Sequence, residues 1–346
     1  MKAGILVLNF GEPEKPTPEE VVPFLEKIFA LNMDLEGAMS PEQRRARVHE
    51  LATRRAAGLI EEYESIGGSP LHAQAHWQAK QMEMELRSRG HDATAYLGMQ
   101  FTEPSIEEAV ERARSDGVDL VVGLPVYPLC GPSTTVAALR QIRDAIDARG
   151  WNVEVAEISG WHNHSTYVEI RADAIRRVLM ETGADLSNPR TRLVFSAHGT
   201  PVKYLREGSR YELYVKDNCR AVARALYVDD YVIGYQNHSN RPLEWTQPDI
   251  ERVIEDIDAD TVIVDACSFM HEQSETLAEL DHELREKAEA RGLTFYRVPI
   301  PHADERFVKL LADLVEPFLL HKGESAGFKP CLCKPGAFCL NRVVRA

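Results

Sequence analysis

The chain has 346 residues, with 40 Lys and Arg against 54 Asp and Glu, a formal charge of −14. An anionic surface without a cationic block argues against nucleic acid, whose phosphates need clustered Lys and Arg to release counterions. With 44 % hydrophobic residues, the chain can bury one large core or two smaller ones, and no run reaches the roughly 18 apolar residues of a membrane span. It is expected to be cytoplasmic, with peripheral membrane contact left open.

In chain order, short aliphatic or β-branched runs at 4–8, 94–97, 120–124, 153–158, 193–196, 231–235, 261–264 and 294–298 read as buried strands. Stretches at helical spacing lie between most of them, among them 106–114, 134–147, 167–180 and 275–291. This alternation predicts an α/β protein of two similar Rossmann-like lobes, each a four-stranded parallel sheet flanked by helices, with a cleft between the lobes. The boundary is expected near Ser159 and Gly160, dividing the chain into residues 1–160, 161–304 and 305–346. The last part would be a helix over 305–319 that packs back on the first lobe, then a cysteine-rich tail.

In such lobes ligands sit beyond the carboxyl ends of the strands. Neither G-x-G-x-x-G nor G-x-x-x-x-G-K-[ST] occurs, so the two glycine motifs that cradle phosphates are missing. The expected strand ends instead carry Asn9-Phe10-Gly11-Glu12-Pro13, Pro125-Val126-Tyr127-Pro128, Ser196-Ala197-His198-Gly199-Thr200-Pro201 and Tyr235-Gln236-Asn237. Aromatic, amide and imidazole groups suit a flat organic ligand better than a polyphosphate.

His198 follows a strand and precedes a Gly-Thr-Pro turn, which would project its imidazole into the cleft as a metal ligand or proton acceptor. Glu275, Glu279 and Glu283 recur at four-residue spacing. On an α-helix they would form one carboxylate face with steps of about 6 Å, able to lead a cation or protons inward. A solvated helix face is the competing explanation, and Arg285 and Lys287 lie close by. In the tail, Cys331, Cys333 and Cys339 stand among Pro330, Pro335 and Gly336. A [2Fe–2S] cluster or structural zinc takes four thiolates, and Cys130 in a strand-end loop is the best candidate for the fourth. Cys219 and Cys267 read as packing residues.

The string Ser196-Ala197-His198-Gly199-Thr200-Pro201, then Tyr235-Gln236-Asn237, Glu244-Trp245-x-x-Pro248, Ser268-Phe269 and Glu275-Thr276-Leu277 together resemble ferrochelatase. Earlier in the chain the resemblance takes in Leu8-Asn9-Phe10-Gly11-Glu12-Pro13, Val22-Pro23-Phe24-Leu25, Ile66-Gly67-Gly68-Ser69-Pro70-Leu71, Gly98-Met99-Gln100-Phe101 and Tyr127-Pro128 with Ser133-Thr134-Thr135. It spans roughly residues 3–320. What it implies is insertion of Fe2+ into a free-base porphyrin, protoporphyrin IX or coproporphyrin III, with the macrocycle held between the lobes. His198 and Glu275 would be the inner pair, His198 as proton acceptor with Glu275 assisting, and Glu279 and Glu283 would continue outward. Porphyrin walls are expected from Phe10, Ile28, Phe29, Ser69, Pro70, Leu71, Phe101, Tyr127 and Trp245, with Ser69 and Lys27 as partners for the propionates.

Some ferrochelatases resemble this chain in having three C-terminal cysteines and one internal cysteine that bind [2Fe–2S], which implies the set Cys130, Cys331, Cys333 and Cys339. Two strings depart from the family pattern. Gly11-Glu12-Pro13 replaces Gly-Gly-Pro, which would put an extra charge near the porphyrin entrance, and Gly208-Ser209-Arg210-Tyr211 replaces Gly-Asp-Pro-Tyr. The competing functions are a cobalt or nickel tetrapyrrole chelatase and a non-catalytic porphyrin carrier or sensor. Monomer and homodimer are both compatible with the sequence.

Overall fold

The computed structural model describes residues 1–238, 243–321 and 326–341. Four all-parallel strands form the first sheet: β1 (Ala3–Asn9), β2 (Ala93–Met99), β3 (Leu120–Pro125) and β4 (Glu154–Gly160). Four more form the second: β5 (Thr191–His198), β6 (Tyr231–Gln236), β7 (Thr261–Ala266) and β8 (Thr294–Val298). The order is β2-β1-β3-β4 in one and β6-β5-β7-β8 in the other. Every residue of β1 is buried, as a parallel strand covered by helices on both faces requires.

The tail adds two strands to the first sheet, β9 (Lys329–Pro330) and β10 (Phe338–Cys339), with β10 parallel to β4. The cysteine-rich segment is thus anchored along the outer side of β4; residues 342–346 of the expected tail lie outside the described residues. The helix Glu305–Leu319 lies over the first sheet, its Phe307, Leu310, Leu311 and Leu314 sharing a core with Ile5, Val7 and Val122. Arg89 ties it to the helix Leu71–Ser88 through Asp313 at 2.7 Å and Glu316 at 3.1 Å. No helix among the described residues is long and apolar enough to cross a membrane.

Two helices between β1 and β2, Pro18–Leu31 and Pro41–Ser65, form a hairpin over the open end of the first sheet. Both begin with proline, whose missing N–H costs nothing in a first turn. The second also carries a capping box between Ser40 and Gln43. Their inner faces pack Phe24, Phe29, Leu59 and Tyr63 against Phe10 and Phe101.

The expected helix over 275–291 is broken into three pieces: an α-helical turn Ser274–Leu277, a π-helical segment Glu279–Leu284 and an α-helix Arg285–Ala290. Its π character is explicit where the Glu283 N–H donates to the Ala278 carbonyl at 3.0 Å. Such bulges widen a helix locally and recur at functional sites.

Beside this segment, the loop after β7 is held from below by Arg171, wholly buried with Asp265. The guanidinium bonds the Asp265 carboxylate and, at 3.3 Å, the Phe269 carbonyl. Asp265→Ala would leave a buried cation without its counter-charge and should lower stability by about 3–5 kcal/mol in urea unfolding. The pair Arg171→Met with Asp265→Leu should recover most of that loss; a double variant as unstable as Asp265→Ala would contradict the role given to the pair.

Candidate functional site

Strand ends and the two-helix hairpin enclose one deep cleft. Its walls include Phe10, Phe24, Ile28, Phe29, Leu71, Phe101, Tyr127 and Trp245, and its polar groups include His198, His238, Glu275, Glu279 and Glu12. His198 closes β5. The next residue must be glycine, because a Cβ on Gly199 would lie 1.9 Å from Asn237 Oδ1 and 2.8 Å from the Gln236 carbonyl. That close approach lets His198 Nδ1 donate to the Gly199 carbonyl at 2.6 Å, leaving Nε2 to face the cleft. The Ser268 hydroxyl accepts from the His198 N–H at 2.8 Å, and Tyr211 donates to its carbonyl at 3.0 Å, so the backbone is held on both sides.

His198 Nε2 lies 3.0 Å from Glu275 Oε1. The glutamate enters from the turn after β7, its other oxygen accepting from Gln273 Nε2 at 2.5 Å. Burial favours the protonated acid at Glu275, but His198 outweighs it and holds the carboxyl well below the ordinary range. Burial likewise opposes charge on His198, and Glu275 reverses this, lifting the imidazole to about 9. Gln236 bridges the next step, donating to the Glu275 carbonyl at 2.9 Å and to Glu279 Oε2 at 3.0 Å. Burial pushes Glu279 up to about 7; His238 opposes the rise and the charge of Glu275 adds to it. The acidic series therefore runs outward: Glu275 and Glu279 line the cleft, whereas Glu283 is exposed and absent from its wall.

The structure brings seven of the nine expected wall residues to the cleft. Ser69 and Pro70 are not among them. Ser69 stands behind the wall and donates its hydroxyl to Glu12, while Pro70 precedes the first turn of the helix Leu71–Ser88. Lys27 is also off the wall, its ammonium 3.8 Å from Glu103. Arg55 is instead the one Arg or Lys among the described lining residues, and its guanidinium lies 2.6 Å from Glu62. Both come from the helix Pro41–Ser65, whose Leu51, Ala52, Ala56, Leu59 and Tyr63 recur at helical spacing, a signal the charged residues between them obscure.

Glu12 is not at an entrance. It is buried at the inner wall, accepting from the hydroxyls of Ser69 and Ser274, from Tyr63 at 3.1 Å and from the Ser274 N–H at 3.3 Å. It thereby fastens the first lobe to the helical turn that bears Glu275. His238, in the loop after β6, is another polar lining residue that sequence patterns did not single out; its Nε2 lies 3.1 Å from His198 Nε2 and 3.6 Å from Glu275 Oε1.

On the far side of the same loops, Cys130, Cys331 and Cys333 direct their sulfurs within 4.8 Å of one another. Cys130, Cys333 and Cys339 all hydrogen-bond the Cys331 thiol and draw it well below its ordinary range, so the fourth cysteine adjoins the group through Cys331. None forms a disulfide. Tyr214 reaches Cys333 Sγ at 3.4 Å, and the Asn341 N–H reaches Cys339 Sγ at 3.2 Å. Cys219 and Cys267 lie apart in the core, 3.8 Å from each other.

A family profile described as Ferrochelatase matches residues 2–318. Among similar proteins, the ferrochelatase of Synechococcus sp. strain RCC307 is 34 % identical over 92 % of this chain and 83 % of its own length. That of strain JA-2-3B'a(2-13) is 35 % identical over 94 % of this chain and 95 % of its own. Among solved structures, SirB from Bacillus subtilis with Fe3+ superposes with a TM-score of 0.54 at 11 % identity, covering 94 % of this chain and 98 % of that one, a likeness of fold.

Burial lifts Glu12 from 4.5 to about 7 despite its hydroxyl partners, and the neighbouring Glu275 adds to the rise; Tyr63 also faces it. The folded protein then holds this proton more tightly than the unfolded chain. The stabilisation is full below pH 4.5 and is lost as pH rises through about 7. Glu12→Gln cannot ionise, so relative to the wild type it should gain up to about 3 kcal/mol on going from pH 4.5 to pH 8. Urea unfolding at the two pH values measures this; an equal difference at both would contradict it.

Proposed function

Because the chain belongs to the ferrochelatase family, we propose that its cleft holds a free-base porphyrin and inserts Fe2+ into it, the iron-insertion step of haem biosynthesis and a lyase reaction. The observation that carries this is the form of the cleft. A broad apolar surface surrounds one polar focus, His198 against Glu275. A flat macrocycle needs such a surface for its faces, and metallation needs a polar point at its centre.

The ring carries two N–H protons that must leave as iron binds its nitrogens. Iron passes inward from Glu283 by Glu279 to Glu275 and His198. As the ion moves on to the ring nitrogens, His198 Nε2 accepts the departing protons in turn and hands them outward toward Glu279 and solvent, with the Glu275 carboxylate stabilising the imidazolium, so two N–H bonds are exchanged for iron–nitrogen bonds with no change in oxidation state. Positioned bases of this kind act most efficiently within hydrogen-bond reach of the proton. Phe10, Ile28, Phe29, Leu71, Phe101, Tyr127 and Trp245 form the ring walls, with Ser69 bracing them from behind through Glu12. Arg55 offers the guanidinium for a propionate. Protoporphyrin IX and coproporphyrin III both suit this arrangement. In this reading the lobes divide at residues 1–160 and 161–304, the described parts of 305–346 pack against the first lobe, and the ring lies between the two lobes.

Cys130, Cys331, Cys333 and Cys339 would hold a [2Fe–2S] cluster. The donor chemistry fits: four thiols, none in a disulfide, gathered from a strand-end loop and the anchored tail. Bound there, a cluster would supply a one-electron centre and a covalent tie between tail and loop.

Anaerobic incubation with Fe2+ and each porphyrin should quench porphyrin fluorescence as the metal enters. No metalloporphyrin from either would defeat the proposal. The same preparation should show visible cluster absorption that Cys130→Ser removes; protein without colour, iron or sulfide would defeat the cluster assignment alone.

A further inference from the structure

We propose that His238 is a third ligand of the iron-receiving site, completing with His198 and Glu275 a set of two imidazoles and one carboxylate. This rests on the reading of the cleft as an iron-insertion site and assigns a residue to it. His198 Nε2, His238 Nε2 and Glu275 Oε1 are 3.0, 3.1 and 3.6 Å apart in pairs. Metal–ligand bonds of roughly 2.0–2.2 Å place two ligands at right angles about 3 Å apart, so all three distances suit neighbouring positions on one ion. The chemistry agrees with the geometry. His198 Nδ1 donates to the Gly199 carbonyl, so Nε2 is the nitrogen turned toward the other two atoms, and its lone pair meets a cation that displaces its proton. Three electron-rich atoms at these distances require a proton or a cation among them.

Two imidazoles and a carboxylate on one side of an ion, with its other positions open, is a donor set matched to ferrous iron. Here the open side faces the cleft, where a porphyrin could take the remaining positions. His238 is also oriented for the task, its ring meeting Trp245 edge to face at 5.6 Å. A pair of ligands would release iron readily but hold it weakly; a third donor from a separate loop lets the ion be held before the ring accepts it.

Cobalt(II), whose visible absorption reports its ligands, tests the assignment on the whole protein kept anaerobic with its cluster. His238→Ala should weaken cobalt binding by at least about tenfold, the lower end of what losing even a supporting residue does to a metal site. It should change the cobalt spectrum and raise KM for ferrous iron more than it lowers kcat. Porphyrin affinity, read by fluorescence, should stay at the wild-type value. His238→Gln, which preserves bulk against Trp245, must show the same loss; recovery of wild-type cobalt affinity would mean that the ring only packs, and the proposal falls. If His198→Ala loses cobalt while both His238 variants keep it, the third ligand is wrong and the two-residue centre stands. If no variant alters cobalt binding, the iron-site reading fails with it.

Discussion

The contact between His198 Nε2 and Glu275 Oε1 is the constraint on which the rest of the structure depends. Either group alone would be costly to charge inside an apolar cleft, since burial penalises the ionised form of both. Together they sustain each other, and the surrounding fold keeps them in register. β5 and β7 are neighbours in one parallel sheet, so the residue that ends one and the turn that follows the other emerge side by side. Gly199 allows the close approach of β6, Gln236 on that strand bonds both Glu275 and Glu279, and the Arg171–Asp265 pair holds the intervening loop from beneath.

This polar focus belongs to the second lobe, whereas most of the apolar wall belongs to the first. The lobes are joined at the wall of the cleft. Glu12 crosses from the end of β1 to Ser274, one residue before Glu275, and Asn32 accepts from Tyr204 of the second lobe at 2.7 Å. The cysteine group lies close to the same machinery. Cys130 immediately precedes Gly131, a lining residue, and the helix that sends Tyr211 to His198 sends Tyr214 to Cys333 one turn later.

Much of this was legible in the sequence because parallel strands are continuous apolar runs, and all eight read that way. His198 and Glu275 stood out through strand-end position and spacing, and the tail cysteines through their crowding. The sequence was less informative where tertiary contacts override local pattern. An α-helical period says nothing of the π-helical segment at Glu279, so the series looked more regular than it is and the exposure of Glu283 was hidden. Glu12 was visible as a departure, but its burial depends on Tyr63, Ser69 and Ser274, all more than fifty positions away. His238 sits in a loop with no periodicity, and only the fold brings it to His198.

The central claim is that one polar point serves metal transfer while the apolar wall serves ring binding, and His198→Ala separates the two most directly. Titrating the variant with free-base porphyrin and then adding ferrous iron anaerobically measures both functions in one cuvette. The account predicts near wild-type ring affinity and metal insertion slowed by at least about a hundredfold, the scale of a lost positioned acid–base group. Insertion at the wild-type rate by the ring-bound variant would contradict it.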